Sequence, residues 1–145
     1  MDTELQLAVG YIETFAGNGK ARSTGDGKRA VKAGIPLPHH AALDKNERWF
    51  YFAESGSDRI RRIDLNGIIT TVVGTGVQGF VDGDAAQAQL QFPFGMAMSP
   101  SARLYFADMT CQCWDPSAPG RLRVLNLSTG KISTVMDGLT PIQAV

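Results

Sequence analysis

Trp49-Phe50-Tyr51-Phe52-Ala53-Glu54 is the stretch that decides the fold, because its pattern returns as Arg103-Leu104-Tyr105-Phe106-Ala107-Asp108. Both stretches are short, rich in aromatic residues and apolar at successive positions, which is typical of a β-strand that is covered on both faces. A strand with one face in water would alternate between apolar and polar residues instead. We therefore predict a strand at each place, in sheets whose two faces are both buried.

The two strands belong to a longer repeat. The pattern Ile-x-Thr, with a glycine shortly after, begins at Ile12, Ile69 and Ile132, at spacings of 57 and 63 residues. Every repeated segment is bounded by Gly, Pro, Asn or Asp, which favours short strands joined by turns. Each repeat therefore holds four strands, a to d, and four antiparallel strands in a meander form one blade of a β-propeller. The other matching segments are Leu37–Asp44 with Phe92–Ser99, and Arg59–Asp64 with Arg121–Asn126.

The phrase Ala53-Glu54-Ser55-Gly56-Ser57-Asp58-Arg59-Ile60-Arg61 closely resembles the NHL repeat, whose usual form is Ala-Asp-x-x-Asn-x-Arg-Ile-Arg. The resemblance covers residues 11 to 145. It implies an all-β fold, a partial propeller of four-stranded antiparallel NHL-type blades. It also implies that Glu54 and Asp108 bond within the b–c turn or pair with the arginines that follow them, Arg59 and Arg121.

The repeat divides the chain into segments. We predict a lead-in at 1–10, then the outer strand of a preceding blade (Tyr11–Ala16) with its d–a loop at 11–36. The first complete blade spans 37–74, a second d–a loop 75–92, and the second complete blade 93–138 with a long b–c loop at 109–120. Residues 139–145 begin a third blade. NHL propellers usually close with about six blades, so we expect a fragment, or a chain that self-associates through its open blade faces.

Composition restricts the function more weakly. Lys plus Arg and Asp plus Glu both total 14, so no net charge draws the chain to nucleic acid or to an anionic membrane. No run approaches the roughly 20 apolar residues of a membrane helix. The two cysteines, Cys111 and Cys113, exclude a disulfide framework and leave the cellular compartment open.

The long connections predict which end of the molecule binds. Strands of a meander alternate in direction, so the b–c and d–a connections leave the sheets at the same end, and long loops on a rigid scaffold commonly carry binding sites. We predict a binding scaffold that acts through this end on a protein partner, with a small-molecule ligand as an alternative. The predicted contact residues are Lys20, Arg22, Lys28, Arg29, Lys32 and Trp114.

The basic loop at 20–32 raises RNA binding as a further alternative. Nucleic acid is disfavoured, because no aromatic residue interleaves with the basic ones and the second loop carries Asp82 and Asp84 without a base. Calcium would need more oxygens than these two carboxylates supply, so no cofactor is predicted and Ca²⁺ is kept as an alternative. Turn and capping duty is favoured, with Asp26 and Asp84 as N-caps of short helical stretches predicted at Lys28–Ala33 and Ala85–Leu90.

His39-His40 begins strand a, which lines the channel of a propeller. Adjacent residues of a strand point to opposite faces, so the two rings are not expected to share a metal. The matching residues of the second blade, Phe94 and Gly95, cannot ligate one. His39 is therefore a weak metal candidate, as are Asp82 and Asp84. A propeller enzyme of lactonase, lyase or hydrolase type with an axial metal stays an alternative, and a non-catalytic role is favoured.

Overall fold

The computed structural model describes residues 10, 12–110 and 119–139, and this part of the chain forms two antiparallel sheets of five strands each. The predicted all-β class is confirmed. Two short 3-10 turns, Ala30–Lys32 and Ser55–Ser57, are the helical elements of the described residues, in which no helix long and apolar enough for a membrane span occurs. The first sheet consists of β1 (Lys28–Arg29), β2 (Pro38–Leu43), β3 (Trp49–Glu54), β4 (Arg59–Asp64) and β5 (Ile68–Val73). The second consists of β6 (Gly83–Asp84), β7 (Pro93–Ser99), β8 (Arg103–Met109), β9 (Gly120–Asn126) and β10 (Lys131–Leu139).

Each sheet is a four-stranded meander with one added edge strand. The strand orders are β1-β5-β4-β3-β2 and β6-β10-β9-β8-β7, so β3 and β8 lie in different sheets. The edge strands come from the preceding loops: Lys28 pairs with Ile69, and Gly83 pairs with Ile132. An uncovered edge strand exposes backbone groups to pairing with other chains. These two-residue strands cover part of that edge, which the sequence did not predict.

Tight turns set the register at the end opposite the long loops. Between β2 and β3, a carboxylate oxygen of Asp44 accepts the Arg48 and Trp49 amides at 2.6 and 2.7 Å. Between β4 and β5, a carboxylate oxygen of Asp64 accepts the Ile68 amide at 2.8 Å. Aspartate favours such turns because its short side chain bonds to the backbone that follows it.

The hydrophobic core lies between the two sheets and continues over the far face of the first sheet. Tyr51, Ile60 and Val73 of the first sheet are buried against the second sheet. The loop between β5 and β7 fills the space between the sheets with Ala85, Ala88 and Leu90, and the second sheet contributes Leu104, Phe106, Leu125 and Ile132. On its other face the first sheet buries Phe52, Ile63 and Ile69 against Ala30 and Ala33 of the preceding loop. The first sheet is therefore buried on both faces, as the pattern of β3 predicts. The same prediction for β8 is wrong, because Leu104 and Phe106 are buried on one face while Tyr105 and Ala107 on the other face are only half-buried.

Three expectations about local structure are wrong. Ile12–Ala16 forms no strand, because no strand of the described chain lies beside it to complete its backbone hydrogen bonds. Lys28–Ala33 is β1 followed by a 3-10 turn, and Ala85–Leu90 contains no helix. The Ala30 and Ala85 amides donate instead to the Gly67 and Gly130 carbonyls at 2.8 and 2.9 Å, so pairing with the sheet replaces a local helix.

Candidate functional site: the loop end

The loop end is where β3 and β5 finish and β2 and β4 begin. The loops between Gly17 and Pro36 and between Gly74 and Phe92 run over this end, and so does the Ser55–Ser57 turn. The second sheet presents the ends of β8 and β10 there. Two buried arginines fasten the long loops to the sheets.

The first of these arginines is Arg61 of β4, whose side chain is 1% exposed. It donates to Glu54 at the end of β3 at 3.0 Å and to Asp26 in the loop at 2.8 Å. It also donates to the Thr24 carbonyl oxygen at 3.0 Å. Asp26 accepts a further bond from the Thr71 hydroxyl at 2.7 Å. We name Arg61, Glu54 and Asp26 the first clasp.

The second sheet repeats the arrangement around Arg123 of β9, which is fully buried. Its guanidinium donates to Asp108 at 2.6 Å and to Asp82 at 2.8 Å. It also donates to the carbonyl oxygens of Gln89 and Val81 at 2.7 and 2.8 Å. We name Arg123, Asp108 and Asp82 the second clasp. Each clasp joins one acid at the end of a strand b to one acid in the loop.

The predicted bond within the b–c turn is present at Glu54, whose carboxylate accepts the Ser57 hydroxyl. The predicted pairing of the two strand-end acids with Arg59 and Arg121 is wrong. Glu54 lies opposite Arg59 in the register, yet it pairs with Arg61, because only Arg61 also reaches the loop oxygens that satisfy a buried guanidinium. Arg59 donates instead to the Thr75 carbonyl at 2.8 Å. Arg121 likewise pairs with Asp137 at 3.1 Å and covers the Phe80 ring at 3.6 Å.

The predicted capping duty of the loop aspartates is also wrong. Asp26 is a member of the first clasp, and the side chain of Asp84 binds the Lys131 ammonium at 2.6 Å on the surface. No helix starts at either residue, so neither has helix amides to cap.

The electrostatics of the second clasp differ between its two acids. Burial raises the pKa of Asp108 to about 6, against the opposing effect of hydrogen bonds from Arg123 and from the Gln91 amide. For Asp82, burial also acts to raise the pKa, but hydrogen bonds from Arg123 and Thr134 outweigh it and hold the pKa below its usual range. Near pH 7 both carboxyl groups are therefore ionised, and the clasp is complete.

A group of aromatic and imidazole rings lies at the start of β2 and β7. The His39 ring lies 4.3 Å from that of Phe94 and 5.7 Å from that of Phe92, and the His40 ring lies 5.6 Å from that of Phe94. We name His39, His40, Phe92 and Phe94 the loop-end patch. Both histidines are exposed and both phenylalanines are half-buried. The patch lies between β2 of the first sheet and β7 of the second.

The patch overturns the expectation that His39 and His40 face opposite sides. The register of β2 on β3 shifts by one residue between Pro38 and Ala41, and this bulge brings both rings towards Phe94. Burial and the neighbouring His40 lower the pKa of His39, so its imidazole is neutral near pH 7.

The backbone around the patch is held by the b–c turn. Phe92 has a φ of +55°, a region that non-glycine residues rarely adopt, and its amide donates to the Asp58 carboxylate at 2.8 Å. The Ser55 hydroxyl donates to the Pro93 carbonyl. These bonds cross from the first sheet to the second and fix the patch between them.

The predicted basic contact residues are all exposed, and the two of them on β1 lie far from the patch. Lys28 and Arg29 lie on β1, and three strands separate β1 from β2. At about 4.8 Å per strand step this is roughly 19 Å. Within the described residues, none of the five predicted basic contacts forms an ion pair. The five are Lys20, Arg22, Lys28, Arg29 and Lys32.

The remaining predicted site residues have separate places. Trp114, Cys111 and Cys113 lie outside the described residues. The metal candidates Asp82, Asp84 and His39 sit in the second clasp, in the Lys131 pair and in the patch respectively. Residues 12–110 and 119–139 contain no group of three or more potential metal ligands.

Comparison with known proteins supports the sheet architecture. No family model matches the chain. Over 108 residues it is 30% identical to the protein SUPPRESSOR OF QUENCHING 1, chloroplastic, of Arabidopsis thaliana. The matched region covers 73% of the chain and 10% of the plant protein. A solved structural genomics protein of unknown function from Bacteroides thetaiotaomicron matches 74% of the chain with a TM-score of 0.56 at 22% identity. An auxiliary nutrient binding protein from Bacteroides ovatus matches 72% with a TM-score of 0.55 at 21% identity.

The chain spans about a tenth of the plant protein and about a quarter of each bacterial chain, 27% and 26%. At these identities the two bacterial structures establish a shared sheet-rich fold and nothing about the ligand.

Proposed function

We propose that the chain is part of an NHL-type β-propeller, with its two sheets as consecutive blades, and that it serves as a non-catalytic binding scaffold for a protein partner. Three features support this proposal. Each sheet is a four-stranded antiparallel meander, the sheets pack face to face, and their first strands, β2 and β7, lie side by side as the inner strands of neighbouring blades would.

The observation that carries the binding role is the loop-end patch. Aromatic side chains are enriched among the residues that contribute most to protein interfaces, where a few well-held rings supply much of the binding energy. Here four rings are grouped at the surface and their backbone is held from both sheets, so a partner would meet a preorganised surface.

The two other classes of function receive less support. An axial metal would need ligating side chains at matching positions of successive inner strands, and Phe94 and Gly95 follow His39 and His40 there. RNA binding through residues 20–32 would need rings beside the cations for base stacking, whereas Lys28 and Arg29 lie on β1, at the opposite edge of the first sheet from His39 and His40 on β2.

A small-molecule ligand is the second candidate. It is favoured by the neutral His39 imidazole beside two phenyl rings, a surface on which a planar or sugar ring can stack. One of the similar solved structures is described as an auxiliary nutrient binding protein.

The test is affinity capture from a cell lysate with the chain as bait, compared across two double variants. His39→Ala/His40→Ala removes both exposed rings of the patch, and Lys45→Ala/Asn46→Ala alters the opposite end as the matched control. We expect a partner that binds the wild type saturably to be retained by the control and lost by the patch variant. A partner that is lost only with the control would overturn the choice of face.

The small-molecule candidate has its own readout. Titration of the wild type with a monosaccharide and with an aromatic amino acid, followed by NMR of the histidine ring protons, should shift His39 before any other ring if a small ligand stacks there. Unchanged ring signals at saturating probe would remove this candidate.

A further inference from the structure

A cavity of about 300 Å³ opens between the two sheets at the end opposite the long loops, which we name the turn end. One wall comes from β3, β4 and the β2–β3 turn of the first sheet, and the other from the β7–β8 and β9–β10 turns of the second. Both walls belong to sheets that the structure describes, so the cavity does not depend on what covers their outer faces. Ligand sites commonly enclose roughly 300–1,000 Å³, so this cavity suits a small molecule.

The wall from the first sheet carries positive charge. Arg48 and Arg62 line the cavity, and neither forms an ion pair within the described residues. The one acid in the lining is Asp44, and one of its carboxylate oxygens already accepts two backbone amides of its own turn. The cations of the lining outnumber this acid, so an anion in the cavity is attracted electrostatically.

Arg62 is the cation that the structure holds in place. Its Cζ atom lies 3.9 Å from the centroid of the Trp49 ring, and its Nε donates to the Thr70 hydroxyl at 3.3 Å. The guanidinium is thus fixed on one face and at one corner, while its two terminal nitrogens have no hydrogen-bond partner in the part of the chain that the structure describes. Parallel donors on a fixed plane match the paired oxygens of a carboxylate or a phosphate.

The second sheet shows that the strand itself does not require a cation there. Arg62 lies opposite Tyr51 in the register, and Val124 lies opposite Tyr105, so the equivalent of Arg62 is a valine. Arg62 is half-buried, and burying a charge without an opposite charge beside it costs free energy. The contact with the Trp49 ring offsets part of this cost, and a bound anion offsets more.

We propose that the cavity at the turn end binds a small organic anion, whose carboxylate or phosphate group lies on the Arg62 guanidinium and whose apolar part lies against Met98 and Leu127. Both of these side chains are half-buried in the wall from the second sheet. Ser99 and Ser128 line the same wall and supply hydroxyl groups for further hydrogen bonds to the anion. The site lies at the other end of the sheets from the loop-end patch and takes a different class of ligand, so it does not rest on the proposed function.

The experiment titrates the chain with three probes of the same body at constant ionic strength: benzoate, phenyl phosphate and the uncharged benzamide. NMR of the Trp49 indole N–H follows binding, and the variant Trp114→Phe, which leaves one indole in the chain, assigns that signal. We expect benzoate or phenyl phosphate to shift the Trp49 signal saturably and to bind at least about tenfold more tightly than benzamide. Tighter binding of phenyl phosphate identifies a phosphate-bearing ligand, and tighter binding of benzoate identifies a carboxylate.

Two pairs of variants locate the binding. Arg62→Gln should weaken the tighter anion by roughly tenfold to a hundredfold. Its matched control is Arg103→Gln, which removes the same charge from an exposed residue at the start of β8, outside the cavity lining, and should change the affinity by less than about twofold. Ser128→Asp places a carboxylate at an exposed position of the lining and should also weaken the anion, whereas Ser133→Asp on β10 should not.

Far-UV circular dichroism verifies that each variant is folded, and the Ser128→Asp pair decides if Arg62→Gln is unfolded. The proposal is overturned if neither anion shifts the Trp49 signal saturably, or if benzamide binds as tightly as the anions. It is also overturned if folded Arg62→Gln, or folded Ser128→Asp in its place, binds the anion as the wild type does.

Discussion

Replacing Arg123 with methionine should destabilise the protein far more than the same change at Arg121, two residues earlier on the same strand. Arg123 is fully buried, so its loss leaves the Asp108 carboxylate in the interior with one remaining hydrogen bond from the described residues, the 2.8 Å bond from the Gln91 amide. Removing one partner of a buried ion pair costs about 3–5 kcal/mol. For a chain of this length the unfolding entropy is about 0.3 kcal/mol/K, so the melting temperature should fall by roughly 10–16 °C.

Arg121→Met serves as the matched control. That side chain is 22% exposed, and its partner Asp137 is 59% exposed. Together with the contact to the Phe80 ring, its loss should cost about 1 kcal/mol. Urea unfolding followed by circular dichroism gives both values. Equal destabilisation of the two variants would refute the role given to the second clasp.

Two further measurements separate the charge effect from a packing defect. The cost of Arg123→Met should shrink as the pH falls from 7.5 to 5, because Asp108 then takes up a proton and needs no cation beside it. The double variant Arg123→Met/Asp108→Leu should recover part of the loss, since removing both charges avoids a buried lone carboxylate. A cost that is independent of pH and additive in the double variant would point to packing alone.

Two other substitutions test the pKa of Asp108 and a close backbone contact at Gly74. The folded-state pKa of Asp108, about 6, lies above its usual value of about 3.9, so the stabilisation from its protonated form is complete below pH 4 and is lost as the pH rises through 6. The free energy of unfolding of Asp108→Asn, measured with urea, should therefore rise relative to that of the wild type by on the order of 2 kcal/mol over this range. A difference between the two proteins that is independent of pH contradicts this. Gly74→Ala should reduce the free energy of unfolding by about 1–3 kcal/mol more than Gly130→Ala in the same assay. Both glycines have positive φ, but a methyl group at Gly74 would lie 2.4 Å from the backbone oxygen of Asp58, whereas one at Gly130 would meet nothing. Equal losses of stability would exclude the clash.

The sequence predicted the strands well because their evidence is local and repeated. The aromatic and apolar composition of Tyr51-Phe52-Ala53 and Tyr105-Phe106-Ala107 predicts strands, and turn residues lie on both sides of each segment. The antiparallel order follows from the short connections at Asp44 and Asp64. In the loops the same local reasoning failed, since Lys28 and Arg29 have neighbours suited to a helix but pair with β5. A contact between residues about 40 positions apart leaves no local pattern.

The clasps illustrate the same limit at the candidate site. An aspartate before glycine stands at matching places in the two long loops, Asp26 and Asp82, and an arginine stands at matching places of strand c, Arg61 and Arg123. Only the recurrence of both in both repeats could have suggested the pairing. Spacing alone favoured the nearer arginines, because cross-strand register is visible in the sequence and the path of a long loop is not.

The role of the clasps can be inferred from the small stability that a buried ion pair provides. A buried ion pair is a weak source of stability compared with apolar packing, and within the described residues the Nε atoms of Arg61 and Arg123 have no hydrogen-bond partner at all. Packing for stability alone would favour aliphatic side chains there. What the guanidinium provides instead is several directed bonds to loop oxygens, which hold each long loop in one path over the end of its sheet. The second of these loops leads directly into Phe92 and Phe94. The clasps are therefore best understood as the framework that keeps the loop-end patch in one conformation, and a patch held in this way loses less conformational entropy when a partner binds.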